Sequence, residues 1–292
     1  MQRLIYVPPG GDFNIAQKRI VIANEAPFVL SELSGTGGVE TDIISSQVVG
    51  MDGEDYEDSR KEPRTVRCTF YVQGQSRGDM YSQRMNAISM LRQTKNQKGM
   101  LYYENDIITV CLEAVPKVPP DFEVRLRNYN RGTVEFYCPD PDWQSLSELQ
   151  ENIGYVEGVG FSMPVAFDPA ISLALRVTDC DINYTGTADA PVRITVVGPS
   201  DTPRITNETT GRSILLTRSL STGEILTINT QRGRKSVILT DTTSETETDA
   251  FGYLDPTSEF WELVPGVNHI VYEGGQAQTA VHITYTTRYS GV

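Results

Sequence analysis

Apolar and polar residues alternate along most of the chain, which is typical of β-strands with one buried face and one solvated face. The longest such run is residues 64–73, where the alternating apolar residues are Val66, Cys68, Phe70 and Val72. The same period recurs at residues 108–114, 134–138, 192–196, 226–228, 237–239 and 281–285. Glycine and proline interrupt the runs at short intervals, as a β-sandwich or barrel requires. The pattern predicts a mainly β protein.

Residues 79–95 are the segment with helical periodicity. Its apolar residues recur every three or four positions: Tyr81, Met85, Ile88 and Leu91. An aspartate opens the first turn and lysines lie near the end, which suits the helix dipole. We expect this helix to pack its apolar stripe on the sheet of the first domain. A helix that binds a partner through the stripe is the alternative.

The composition changes near the middle of the chain. Threonine occurs 7 times in residues 1–165 and 22 times in residues 166–292. A Pro- and Asp-rich stretch, Cys138–Trp143, and a Glu- and Gly-rich segment lie between the two halves. We therefore predict an N-terminal domain at 1–145, a connector at 146–165 and a C-terminal domain at 166–292.

Overall composition narrows the class of protein. A chain of 292 residues is long enough for two domains. With 39% hydrophobic and 22% charged residues, wholesale disorder is excluded. The net charge of -13 argues against a protein whose main task is to grip nucleic acid phosphates. No signal-peptide pattern is present, and no apolar run approaches the roughly 18 residues of a membrane span, so we expect a soluble protein made in a cytosol.

The four cysteines are Cys68, Cys111, Cys138 and Cys180. They lack CxxC spacing and a nearby histidine, which argues against a zinc site. Three fall on the apolar faces of alternating strands, so we expect buried reduced thiols that act as small hydrophobic residues. Disulfides are the alternative, although they do not suit a cytosolic product.

Candidates for catalysis are few. The chain has two histidines, and the alternation places His282 opposite Val281 and Ile283, on a solvated face. His269 follows a predicted turn into a strand. The motifs GxSxG, SxxK, HExxH and the P-loop are missing, and Gly35–Gly38 has the composition of a flexible loop rather than of a phosphate-binding one. We predict no catalytic, cofactor-binding or metal-binding residues.

Five acidic residues lie within residues 52–58, but their spacing does not match a calcium-binding EF-hand loop. Basic residues follow at once, so we expect a solvated hairpin tip with local charge compensation. Four aromatic residues of the second half are candidates for stacking on a sugar: Tyr253, Phe260, Trp261 and Tyr272. Trp261 shares a strand face with Leu263, which favours a core position for it.

Short phrases along the chain carry a family resemblance. The first half contains Asp52-Gly53, the strand 64–73, the helix, the strands 101–103 and 106–115, Val115-Pro116, and Cys-Pro-Asp-Pro-Asp-Trp at 138–143. The second half contains Met163–Phe167, Ala190–Val192, Pro203–Asn207, Gly223–Thr230 and Trp261–Asn268. In order and spacing the chain resembles the distal tail proteins of long-tailed, non-contractile phages, whose first domain commonly closes on Cys-Pro-Asp-Pro-aromatic. Here Asp142 precedes the aromatic Trp143, and Pro8–Gly11 stands where we expected a turn such as Asn-Gly.

The resemblance implies an N-terminal β-sandwich or split-barrel belt domain with one α-helix, and a C-terminal galectin-like β-sandwich (jelly roll). It implies a structural virion protein, not an enzyme, that forms a homo-hexameric ring at the tail tip. The ring would connect the major tail tube protein to the tail-associated lysin of the hub, and in some phages hold receptor-binding or baseplate proteins. No cofactor, membrane or specific nucleic acid is expected, and assembly would take place in the host bacterial cytoplasm.

Within such a ring, the acidic segment 52–58 would line the lumen or contact a neighbouring subunit, and on charge alone we favour the lumen. Two other functions stay open. One is a glycan-binding β-sandwich module for adhesion to the host-cell surface, and the other is an enzyme that acts on cell-wall sugars. Six-fold rings, glycan binding and hydrolysis of wall material distinguish the three.

Overall fold

A computed structural model describes residues 2–47, 49–50, 52–126, 129–156, 175–176, 179–276 and 278–292. The chain forms two compact units, which we call unit 1 (Met1–Leu146 with Tyr289–Val292) and unit 2 (Ser147–Arg288). The fold is mainly β with one α-helix and two domains, which confirms the predicted fold class. The phrase Met163–Phe167 and part of the predicted connector lie outside the described residues.

Unit 1 is built from two sheets that share one long strand. Its strands are β1 (Arg3–Val7), β2 (Ile20–Ile22), β3 (Phe28–Ser34), β4 (Thr41–Ser46), β5 (Asp55–Lys61), β6 (Arg64–Gln73), β7 (Gly99–Glu104), β8 (Thr109–Leu126), β9 (Tyr129–Cys138) and the beginning of β10 (Trp143–Val156). One sheet has the order β10-β8-β7-β1-β2, and the other has the order β3-β6-β9-β8. Neither sheet closes into a barrel within the described residues.

Strand β8 passes from one sheet to the other. It pairs with β7 through residues 109–114 and with β9 through residues 115–126. The register with β9 shifts between Pro116 and Val118 and between Val118 and Asp121. Proline has no N–H to donate to a ladder, so prolines within a sheet are found at irregularities such as these.

The helix of unit 1, α1, begins at Arg77 and ends at Met90, rather than at the predicted residues 79 and 95. Its first turn is capped twice. The Ser76 hydroxyl accepts from the Asp79 N–H at 3.2 Å, and the Asp79 carboxylate accepts from the Gln75 N–H at 2.9 Å. This reciprocal pairing satisfies backbone donors that have no partner inside the helix.

The predicted buried stripe of α1 is wrong at two of its four positions. Tyr81 is 36% exposed and Met85 is 65% exposed, whereas Met80, Ala87 and Leu91 are fully buried. The helix packs on β6, β8 and β9 through this second set, which also recurs at helical spacing. The sequence thus contains two apolar sets that share Leu91. Contacts with the sheets decide that the set with Met80 and Ala87 is the buried one.

The cysteines of unit 1 confirm the prediction of buried reduced thiols. Cys68, Cys111 and Cys138 are buried and free, and Cys180 of unit 2 is free and half-buried. Burial raises the pKa of Cys68 and of Cys138 to about 12. The thiolate form, which carries cysteine reactivity, is therefore strongly disfavoured at these two sites.

Unit 2 is a sandwich of two antiparallel sheets. Its strands are the remainder of β10, β11 (Leu175–Arg176), β12 (Asp179–Tyr184), β13 (Ala190–Val197), β14 (Ser200–Asn207), β15 (Arg212–Leu215), β16 (Glu224–Asn229), β17 (Ser236–Asp241), β18 (Thr246–Asp249), β19 (Glu262–Leu263), β20 (Gly266–Gly275) and β21 (Ala280–Tyr289). One sheet contains β18-β17-β16-β13-β21, and the other has the order β12-β20-β14-β15.

The inward faces of the two sheets of unit 2 form one core. Ile194 from the first sheet and Ile205 from the second are fully buried in the same cluster. Trp261 and Leu263 are also fully buried there, so the predicted core position of Trp261 is confirmed. Alternating side chains from two facing sheets are what a β-sandwich core consists of.

Candidate interaction surfaces

Arg64 is a buried hydrogen-bonding centre at the beginning of β6, with only 1% exposure. It donates to four backbone carbonyl oxygens: Nε to Pro141 (2.6 Å), Nη1 to Gly35 (2.7 Å) and Gly37, and Nη2 to Ser290 (2.7 Å). Burial lowers the pKa of Arg64, and nearby acidic groups oppose that shift. The carbonyl dipoles compensate the buried charge and join three segments that are distant in sequence.

The Gly-rich segment 35–38, which we expected to be a flexible loop, is held by several hydrogen bonds. The Trp143 Nε1 and the Val292 N–H both donate to the Thr36 carbonyl oxygen, at 3.1 and 3.0 Å. Gly35 has φ +87°, and a Cβ there would lie 2.0 Å from the Thr65 carbonyl oxygen. Glycine is therefore required by close packing of backbone on backbone, not by a bound phosphate.

The phrase Cys-Pro-Asp-Pro-Asp-Trp at 138–143 lies at this same centre. The Arg64 guanidinium stands 5.5 Å from the Trp143 ring centroid, and Trp143 is fully buried. Asp142 accepts a hydrogen bond from Lys61 Nζ at 2.6 Å. The phrase thus closes the core of unit 1 around a buried arginine, which makes it a structural element rather than a chemical site.

The acidic segment 52–58 belongs to an antiparallel ribbon, which we define as residues 40–62. Strands β4 and β5 pair with each other and form a separate two-stranded sheet. Every residue of β5 is exposed. The prediction of a solvated hairpin tip holds for the turn, whereas Asp55 and Asp58 lie in the strand itself. Two-stranded ribbons are marginally stable alone and offer open edges to another chain.

One face of the ribbon exposes two large side chains, Ile43 and Tyr56, beside serines. The pairing places Ile43 opposite Ser59 and Ser45 opposite Tyr56, with a register shift between Ile44 and Ser45. Ile43 is 64% exposed, Tyr56 is 65% exposed, and Tyr56 Oη donates to Ser59 Oγ at 2.8 Å. Large exposed apolar side chains that follow one surface are a mark of an interaction site.

The ribbon is also strongly acidic. It carries eight acidic and two basic side chains. Arg60 pairs with Asp42 at 3.0 Å, and Lys61 pairs with Asp142 outside the ribbon at 2.6 Å. Arg60 and Lys61 thus each pair with one carboxylate. The predicted local charge compensation is only partial, because the acidic side chains of the ribbon outnumber its two basic ones.

The two histidines lie on different sheets of unit 2 and face oxygen atoms. His269 lies in β20, which begins at Gly266, and its Nδ1 lies 2.6 Å from Asp181 Oδ1. This hydrogen bond raises the pKa of His269. His282 is half-buried on β21, with Nδ1 at 2.6 Å from Asn152 Oδ1. Both arrangements are those of surface ion pairs and hydrogen bonds.

The aromatic residues considered for sugar binding differ in exposure. Tyr272 is 3% exposed, and Trp261 is fully buried, so neither can stack on a sugar. Phe260 is half-buried, stacks on a neighbouring ring at 5.9 Å and has Lys235 Nζ 4.9 Å from its centroid. Tyr253 is 44% exposed, and the Arg218 guanidinium stands 5.5 Å from its ring centroid.

The described residues contain neither a metal-binding cluster nor a membrane-spanning helix. No group of three or more His, Cys, Asp or Glu side chains among them is placed to hold a metal ion. Across the same part of the chain, every helix is too short or too polar to cross a membrane.

Two family models match the chain in succession. Residues 15–138 match the phage tail protein RIFT-related domain, and residues 185–289 match the C-terminal domain of the siphovirus-type tail component. Together they cover most of both units, in the expected order. The chain belongs to the siphovirus-type distal tail proteins. It is a structural component of a phage tail or baseplate hub.

Solved structures share the fold of this distal tail protein. The crystal structure of phage SPP1 Dit (gp 19.1), described as a paradigm of the hub adsorption apparatus in phages that infect Gram-positive bacteria, superposes with a TM-score of 0.64. The identity is 13%, over 99% of both chains. Chains from the activated phage P2 baseplate with Ca and with Sr give TM-scores of 0.44 and 0.42, at 12% and 11% identity over 97% of each chain. No curated protein sequence matches the chain.

Sequence reasoning missed two features of this distal tail protein. Arg64 occupies the same alternating face as Val66, Cys68 and Phe70, so its inward orientation could have been inferred from the strand pattern. The exposed stripe of α1 had no such signal, because exposed Met85 is the same type of residue as buried Met80.

Proposed function

We propose that this distal tail protein forms a closed homo-hexameric ring at the tail tip through unit 1. The observation that carries the proposal is the match of both units, in order, to the two domains of a siphovirus-type tail component. The exposed apolar and acidic ribbon of unit 1 supports it, because a folded monomer gains nothing from such a surface. A closed ring is the symmetric outcome of head-to-tail contacts.

In the virion, the ring joins the major tail tube protein to the tail-associated lysin of the hub and receives receptor-binding or other baseplate proteins. The chain acts as a connector without enzymatic activity, and it assembles in the host bacterial cytoplasm. Support for a purely structural role comes from the two histidines, which face carboxylate and amide oxygens on separate sheets. It also comes from the family, whose named members are tail components.

The test is the oligomeric state of the purified full chain. Mass photometry should give a species of six times 32.4 kDa, and negative-stain electron microscopy should give rings with six-fold symmetry. A monomer, or a ring of another order, would contradict the proposal. Zymography on purified peptidoglycan and teichoic acid should show no clearing, and a clear zone would overturn the structural role.

A further inference from the structure

The surface of α1 that faces away from the sheets is basic at its ends and apolar between them. Arg77, Tyr81, Met85, Ile88 and Arg92 follow one another at spacings of four or three residues, which places them on one side of the helix and its C-terminal turn. We call this set the helix stripe. Met85 is 65% exposed, Tyr81 is 36% exposed, and both arginines are exposed.

The charges around the stripe have the opposite sign to those of the ribbon. Residues 77–98 carry five basic side chains and one acidic side chain, which is a net charge of +4. The ribbon, residues 40–62, carries eight acidic and two basic side chains, which is a net charge of -6. Each surface also exposes apolar side chains near its centre, Met85 on the stripe and Ile43 with Tyr56 on the ribbon.

We propose that the ribbon of one protomer docks on the helix stripe of a second copy of this chain. The inference rests on the proposed ring and names the contact that closes it. Complementary potentials steer association and fix its register, while burial of the apolar side chains supplies the attraction. Charge favours the lumen for the acidic segment 52–58, but exposed Ile43 and Tyr56 favour a protein contact for the ribbon that contains it.

The contact is heterologous, because the two surfaces differ in sequence and in charge. A self-complementary surface would give a two-fold dimer. Here an acidic surface binds a basic surface elsewhere on the next copy, so each added copy leaves one acidic and one basic surface free at the ends. Such a chain of contacts ends only by closing into a ring. Both surfaces are exposed in the single chain, so both are available to a neighbour.

A charge exchange between the two surfaces tests the contact. The ribbon variant carries Asp52→Lys, Asp55→Lys, Glu57→Lys and Asp58→Lys, which changes the net charge of the ribbon from -6 to +2. The stripe variant carries Arg77→Glu, Arg92→Glu and Lys95→Glu, which changes the net charge of residues 77–98 from +4 to -2. All seven residues are exposed, so the folded chain tolerates the changes. Each variant alone opposes like charges across the contact and should lose the oligomer at about 0.05 M salt, where screening is weakest.

A mixture of the two variants separates this contact from any other. In a 1:1 mixture the basic ribbon of one variant meets the acidic stripe of the other, and the remaining ribbon and stripe meet with their natural charges. Sedimentation velocity should therefore show the oligomer restored in the mixture, and also in the chain that carries all seven changes. Restoration by mixing cannot arise from a general change in net charge.

The matched controls are Glu148→Lys with Asp189→Lys, Glu245→Lys and Glu247→Lys, and Arg232→Glu with Arg234→Glu and Lys235→Glu, which make the same charge changes at exposed residues of unit 2. Both should assemble like the unchanged chain, and circular dichroism should give all variants similar melting temperatures. If the ribbon and stripe variants also assemble normally, or if mixing fails to restore the oligomer, the ribbon–stripe contact is wrong while the ring stands. If the unchanged chain is monomeric, the ring itself is wrong, and this contact with it.

Discussion

At the scale of single residues, Arg64 shows how a charged side chain can serve as the centre of a core. Its guanidinium is 1% exposed and donates to carbonyl oxygens from residues 27, 29, 77 and 226 positions away in sequence. A planar fork with five N–H groups can reach several carbonyls at once, which an ammonium group cannot do. At this position, directed hydrogen bonds from the guanidinium hold the neighbouring segments together, where an apolar side chain would do so by packing.

We expect Arg64→Lys to destabilise unit 1 by about 3 kcal/mol or more, because several buried carbonyls lose their donor and each costs roughly 1–3 kcal/mol. Arg67→Lys is the matched control, since Arg67 lies on the solvated face of the same strand. It should change the free energy of unfolding by no more than about 0.5 kcal/mol. Urea unfolding followed by tryptophan fluorescence measures both, and equal stabilities of the two variants would show that the hydrogen bonds of Arg64 contribute little.

At the scale of elements, the sequence pattern predicts the strands correctly but does not predict which side of the helix is buried. Strand β6 spans Arg64–Gln73, the same residues that alternation indicates. Successive side chains of an extended backbone point to opposite faces, so the alternation of apolar and polar residues indicates which face of a strand is buried. Helix α1 carries two apolar stripes, and the surface of β6, β8 and β9 decides that Met80 and Ala87 are buried.

The two methionines of α1 allow a direct comparison of the two stripes. Met80→Ala should lower the free energy of unfolding by roughly 2–5 kcal/mol, because it removes a fully buried side chain and leaves a cavity. Met85→Ala, at 65% exposure, should change it by no more than about 0.5 kcal/mol. Thermal and urea unfolding in high salt, where charge contacts between subunits are screened, give both values. A larger loss from Met85→Ala than from Met80→Ala would mean that the helix packs through the other stripe.

At the scale of the whole molecule, the last four residues belong to the unit that the chain begins with. Tyr289–Val292 are part of unit 1, where the Ser290 carbonyl accepts from Arg64 and the Val292 N–H donates to Thr36. The composition shift near the middle of the chain predicts two consecutive domains, and the contacts show that unit 1 also needs the far end of the sequence.

Removal of Ser290–Val292 should therefore loosen unit 1 rather than unit 2. Hydrogen exchange followed by mass spectrometry should show faster exchange in residues 35–38, because Thr36 and Arg64 lose partners there. Removal of Val292 alone is the graded control, since it deletes the bond to Thr36 and keeps the one to Ser290. Unchanged exchange in residues 35–38 after the longer deletion would contradict the role of the tail.

The amino-acid sequence by itself determined the β-rich class, the two-domain plan, the buried cysteines and the core position of Trp261. These follow from local alternation and from apolar residues that share one strand face, which need no knowledge of distant segments. Tertiary structure alone decided which stripe of α1 is buried, which carbonyls Arg64 binds, and where the C-terminal residues lie. Those outcomes depend on contacts between segments up to 226 positions apart. A local sequence pattern cannot show which distant segments will contact it.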